Sequence, residues 1–192
     1  MASDVLKQNL DEHQSALAAT FSEPNLKLLE EIAQEVTRAF KNGHKVLLCG
    51  NGGSAADAQH IAAEFVGRFK RERRSLPAIA LTTDTSILTA IGNDYSYEVI
   101  FKRQIEGLGL AGDILIGIST SGNSKNVVLA LEEAKKMKLK TVAFTGKGGG
   151  ILKRCADYCF EVESVKTPRV QEMHITALHA ISELVEDTLF PT

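Results

Sequence analysis

The stretch Lys45-Val-Leu-Leu-Cys-Gly-Asn-Gly-Gly-Ser-Ala-Ala-Asp-Ala-Gln-His-Ile-Ala-Ala-Glu64 decides the fold. Its first five residues form an apolar run between Asn42-Gly43 and Gly50-Asn51-Gly52, the pattern of a short strand buried on both faces. The glycines and Ser54 turn the chain, and the residues after them carry His60 and Glu64 one helical turn apart on one face. Strand, glycine turn and helix in that order open a parallel α/β unit. Backbone amides at such a turn can cradle an anion or a polar ligand. An imidazole and a carboxylate spaced i, i+4 suit a divalent metal or proton transfer, with an exposed surface pair as the plainer alternative.

Further apolar runs with turn residues at their ends follow at Ala78–Thr82, Asp113–Ser119, Thr141–Thr145 and, most weakly, Tyr158–Val162. Between them the spacing predicts helices over Ser54–Arg74, Asp84–Leu108 (broken near Gly92-Asn93) and Ser124–Met137, with a long last helix over Val170–Leu189. Strands alternating with helices mean an α/β fold: a doubly wound, five-stranded parallel sheet with right-handed crossovers. In a flavodoxin-like order 2-1-3-4-5, the loops Gly50–Ser54 and Ser119–Ser124 flank one crevice beyond the carboxyl ends of the strands. Two helices precede this core. Leu28, Leu29, Ile32, Val36 and Phe40 give Asn25–Lys41 an amphipathic face, with Asn25 as its cap after Pro24. Leu6, Leu10, His13 and Leu17 form a narrow stripe over Ser3–Thr20, suited to packing on another helix, including one from another subunit. Neither a repeat nor a linker divides the chain, so a single domain is expected over 1–192, with the helical pair in 1–41 and the α/β core in 43–192.

Composition narrows the function. A net charge of −2 gives no general pull toward nucleic acid or an anionic membrane, and no partner of either kind is expected. The basic run Arg68–Arg74 reads as a solvated helix end. The N-terminus lacks the apolar core of a signal peptide, and no run of about 18 apolar residues spans a membrane. Three cysteines, Cys49, Cys155 and Cys159, lack framework spacing and fit reduced thiols, hence a cytoplasmic protein.

The loop Ser119-Thr-Ser-Gly-Asn-Ser124 places four hydroxyls in six residues after a buried strand and before a helix. Hydroxyls with amides at a helix N-terminus suit a phosphate monoester. No lysine lies in the loop, which disfavours a nucleoside triphosphate site. Gly50–Ala55 formally matches G-x-G-x-x-A, but no acidic residue stands about 20 positions on, where a dinucleotide's ribose would need it. Sugar hydroxyls explain Asn51 and Ser54 better. On the last helix Gln171 and His179 lie two turns apart and within about 80° of each other around the axis. With His60 and Glu64 they can make a four-ligand divalent-metal site, for which His174 competes as the second histidine. His13 and His44 have no partner by sequence.

The G-N-G-G-S turn, the I-S-T-S-G-N-S loop, Thr82–Thr85, Gly92–Asp94 and the ending R-V-Q-E-M-H together resemble the sugar isomerase (SIS) fold and, within it, the bacterial phosphoheptose isomerases. The resemblance implies substrate binding by Asn51, Gly52, Gly53, Asn93, Asp94, Ser119, Thr120, Ser121, Ser124 and Gln171, the serine-rich loop holding the phosphate. It implies one zinc ion per subunit on His60, Glu64, Gln171 and His179, and an acid–base pair of Glu64 and His179. It also implies homotetramers with active sites between subunits, and conversion of sedoheptulose 7-phosphate to D-glycero-D-manno-heptose 7-phosphate through an enediol. That step would supply ADP-heptose for lipopolysaccharide or capsule. The chain departs from the pattern at Pro168, where relatives often carry Asp or Ala. A non-catalytic branch of the same fold, which binds the bacterial replication initiator protein as a scaffold, is the rival reading. In that branch other residues stand where Glu64 and His179 stand here.

Overall fold

A computed structural model describes residues 2–191; Met1 and Thr192, the ends of the expected domain, lie outside them. Two helices, α1 (Ala2–Thr20) and α2 (Glu23–Lys41), lead into β1 (Val46–Gly50), α3 (Gly53–Val66) and β2 (Ala78–Ala80). Next come α4 (Thr85–Asp94), a 3-10 turn (Tyr97–Val99), α5 (Ile100–Leu108), β3 (Ile114–Ser119) and α6 (Lys125–Lys136). The chain ends with β4 (Lys140–Thr145), the short α7 (Leu152–Cys155), β5 (Tyr158–Glu161) and α8 (Thr167–Leu189). The sheet is parallel throughout and has the expected order, β2-β1-β3-β4-β5.

Alternate side chains of each strand enter opposite faces, so each central strand feeds two cores. Val46, Leu48, Ile116 and Phe144 meet α2, α3 and α8 on one side. Leu47, Cys49, Leu115 and Ala143 meet α5 and α6 on the other. This double burial is why β1 and β3 read as unbroken apolar runs. It also brings the carboxyl ends of β1 and β3, paired through Gly50 and Ile118, side by side.

Some boundaries differ from the sequence reading, for local reasons. Asn25 does not cap α2: Ser22 stands at the cap, Pro24 lies in the first turn, and the Asn25 amide donates to the Thr20 carbonyl at 2.7 Å. The helix expected over Asp84–Leu108 breaks at Tyr95-Ser96, just past Gly92-Asn93, and Asp84 caps α4 by accepting from the Ile87 N–H at 2.9 Å. The largest correction concerns Arg68–Arg74. Helix α3 stops at Val66, so the basic run is a loop, and Arg73 is buried against Glu186. Among the described residues no helix is long and apolar enough to cross a membrane.

Candidate active site

The turn after β1 is built by side chains that the sequence reading passed over. Asn51 exchanges two amide hydrogen bonds with Asn126 of α6, each 2.9 Å, and accepts a third from the Tyr97 hydroxyl at 2.9 Å. The β1 and β3 loops are thereby locked together across the crevice. Tyr97 also draws in the segment carrying Asn93 and Asp94, whose side chains bond each other at 2.9 Å. At Gly53 the missing side chain leaves room for a neighbour: a Cβ there would stand 2.3 Å from Nε2 of Gln171. The amide of Gln171 therefore lies on the first turn of α3.

The hydroxyl loop after β3 is equally constrained. Ser119, buried at the strand end, bonds Ser124 at 2.8 Å through their hydroxyls, with the Ser121 hydroxyl 3.4 Å away. Ser124 stands at the cap of α6, yet its side chain makes no cap bond. Its hydroxyl turns to Ser119 instead, so capping does not account for it. Gly122 has φ of +66°, and a Cβ would lie 2.2 Å from the Gly149 carbonyl oxygen. Gly122→Ala is expected to cost about 1–3 kcal/mol in backbone strain alone, read as a lower denaturation midpoint. An unchanged midpoint would mean the loop is not held as described.

Beyond the turn, α3 and α8 bring three side chains together. His60 Nε2 lies 2.9 Å from His179 Nε2 and 3.2 Å from the Glu64 carboxylate, and donor atoms of all three fall within 4.8 Å of one another. Burial and the neighbouring His60 hold the His179 imidazole below its ordinary range, with Glu64 opposing, so near neutral pH it keeps a lone pair for a cation or a proton. His174, the competing histidine, is fully buried and faces the Thr145 carbonyl at 3.1 Å, and burial lowers its pKa to about 4. It is a core residue. His13 has a partner after all, the Glu172 carboxylate at 2.7 Å.

These three donors fit a metal ion. Zinc bonds of about 2.0–2.1 Å at tetrahedral angles would set the donors about 3.3 Å apart, and small side-chain shifts reach that spacing. Two imidazoles and a carboxylate with an open fourth position form a donor set used for catalytic zinc. Gln171, the other expected ligand, approaches from the same helix as His179. It lies eight residues before His179, about 12 Å along the axis, with its amide on Gly53. Asp57, one turn before His60, was not anticipated: its Oδ2 is buried without a partner, and burial pushes its carboxyl up to about 6 against the pull of His60. A cavity of about 700 Å³ lies elsewhere, between α1 and the loop before α8, and none of these donors lines it.

A parallel sheet with a glycine turn and a hydroxyl loop at its switch point, and a His/Glu/His cluster on α3 and α8, define a ligand-binding class of α/β protein. Residues 10–146 match the SIS domain family. A phosphoheptose isomerase of Nitratiruptor sp. is 62% identical over 150 residues, 78% of this chain and 80% of that protein. Another, from Aliarcobacter butzleri, is 52% identical over 192 residues, 98% of this chain and 99% of that one. The solved phosphoheptose isomerase of Neisseria gonorrhoeae superposes with a TM-score of 0.92 at 39% identity, covering 97% of this chain and 100% of that one. The chain belongs to the SIS-domain family and, within it, to the phosphoheptose isomerases, a group of aldose–ketose isomerases.

Proposed function

We propose that the protein interconverts sedoheptulose 7-phosphate and D-glycero-D-manno-heptose 7-phosphate. The observation that carries this reading is the approach of His60, Glu64 and His179 to within 4.8 Å of one another, on the helix that follows the glycine turn and on α8. Ser119, Thr120, Ser121 and Ser124 receive the phosphate, with the N-terminus of α6 behind them. Asn51, Gly52, Gly53, Ser54, Asn93, Asp94 and Gln171 face the sugar chain. Glu64 removes a proton from C1 of the ketose, and the electron pair of that C–H bond becomes the C1–C2 double bond of an enediol. The proton returns at C2. His179, neutral at the outset, takes the proton of the C1 hydroxyl and gives it to the C2 oxygen, so the number of protons is unchanged. His60, Glu64 and His179 would hold a zinc ion, which polarises the two substrate oxygens when bound.

One feature supports a site completed by a second copy of the chain in a homotetramer, with Gln171 as the fourth zinc ligand. Leu6 and Leu10 of α1 are about two-thirds exposed, at 66% and 63%, an apolar stripe that suits a helix of another subunit. The domain is then one unit over 1–192 whose helical pair serves assembly. A cytoplasmic place and a role supplying heptose for surface polysaccharide complete the reading. Comparing substrates tests it: sedoheptulose 7-phosphate should turn over, and sedoheptulose without phosphate should lose at least about a hundredfold in kcat/KM, equal to about 2.7 kcal/mol. Equal turnover of the two would contradict the phosphate assignment. Binding to the replication initiator without turnover of either would favour the scaffold.

A further inference from the structure

Residues 67–77, between α3 and β2, form neither helix nor strand, and the chemistry proposed above makes no use of them. Their backbone is nonetheless held. Glu186 of α8 accepts from the backbone N–H groups of Phe69, Lys70 and Arg71 at 3.0, 2.7 and 2.9 Å, and from Nε of Arg73 at 3.0 Å. The two charged side chains are buried, 1% and 2% exposed. The guanidinium of Arg73 then turns the other way. Nη1 donates to the carbonyls of Phe65, Gly67 and Arg74, and Nη2 donates to the carbonyl of Glu64 at 2.7 Å. Three of these carbonyls end α3, where helical partners run out.

One buried ion pair thus ties the end of α3 to α8, the two helices that carry the His/Glu/His trio. Glu186 lies seven residues beyond His179, about two turns along the same face. Phe69, whose N–H is fixed by Glu186, stacks on the His179 ring with centroids 5.6 Å apart and planes at 29°. On its other contact the His179 ring meets His60, centroids 5.0 Å apart. The imidazole thus contacts both rings. A buried pair adds little stability over an apolar filling. What this pair sets is a register, since three successive N–H groups and one guanidinium must converge on a single carboxylate.

We propose that Phe69, placed by the Glu186–Arg73 clasp, is a positioning residue for His179. Its ring fixes the imidazole in the orientation that aims Nε2 at His60 and Glu64. This rests on the reading of the trio as the metal and acid–base site. Phe69→Leu removes the aromatic face but keeps the backbone N–H that Glu186 holds, and Phe69 is only partly buried, so the fold is retained. Zinc affinity, measured by competition with a chromogenic chelator, is expected to fall about tenfold, as for other groups that orient metal-binding histidines. The kcat for sedoheptulose 7-phosphate should fall by a similar factor with KM nearly unchanged, and Phe69→Tyr should restore both. Zinc affinity and kcat both within twofold of wild type in Phe69→Leu would overturn the positioning role. Wild-type protein that turns over without binding zinc would overturn the metal reading instead, leaving kcat to judge Phe69.

Discussion

Glu64→Gln should lower turnover of sedoheptulose 7-phosphate by about a thousandfold, within the range that a positioned acid or base contributes. Glutamine keeps the shape of the side chain and one carbonyl oxygen, and removes the group that accepts the C1 proton. Glu64 is partly exposed and its closest polar neighbour is the His60 ring at 3.2 Å, so the substitution leaves the packing of α3 intact. Because the same carboxylate belongs to the donor cluster, zinc content must be measured on the same sample. A carboxylate held tightly by a cation is a weaker base, so the assignment requires Glu64 to engage the metal loosely. Loss of turnover with zinc retained supports the base role. Loss of zinc, with turnover restored by excess zinc, would make Glu64 a ligand alone, and normal zinc with normal turnover would sink both roles.

The largest expected effect on stability lies at the clasp. Glu186→Ala leaves the buried Arg73 guanidinium without its counter-ion and strips three backbone N–H groups of their acceptor. Breaking a buried pair from one side costs about 3–5 kcal/mol, which for a chain of this size is about 10 °C in Tm. The same carboxylate gives a pH dependence. Burial pushes the Glu186 carboxyl up, but the N–H groups of Lys70, Phe69 and Arg71 with Arg73 more than offset this, and its pKa is lowered. A lowered folded pKa contributes stability that is present above the ordinary glutamate value of about 4.3 and is lost as pH falls through the folded value. The wild type should therefore lose this contribution in acid, below pH about 4, where Glu186→Gln should show no such step. A Glu186→Ala variant within about 1 kcal/mol of wild type would contradict the clasp, since mutations away from such features usually cost no more.

The sheet was legible because each β-α unit announces itself locally: the buried strand as an apolar run, the turn as glycines, the helix by its period. The strand order was supplied by analogy with the flavodoxin-like one, in which the two polar loops flank one crevice, and the sheet has that order. What escaped the sequence were features set by distant partners. Arg73 sits in a run of charges that suits an exposed helix end, and its burial is decided by Glu186, far along the chain. The site divides in the same way. His60 and Glu64 were readable as an i, i+4 pair. The choice of His179 over His174 depends on which side of α8 faces the sheet, since His174 packs on Thr145 while His179 meets His60. For Gln171, closeness around the helix axis to His179 was readable, but its seat against Gly53 of α3 was not, since that contact joins distant parts of the chain. Asn126 and Tyr97, which lock Asn51 in place, carry no local signal at all.

Turnover of sedoheptulose 7-phosphate before chelation, after chelation and after zinc is added back tests the central claim most directly. The account predicts conversion to the aldose phosphate, its loss on chelation by at least about a hundredfold, or 2.7 kcal/mol in the barrier, and its return with zinc. Absence of turnover in every state would contradict the proposed activity, and full turnover after complete removal of metal would contradict the role given to the His60–Glu64–His179 cluster as a zinc site.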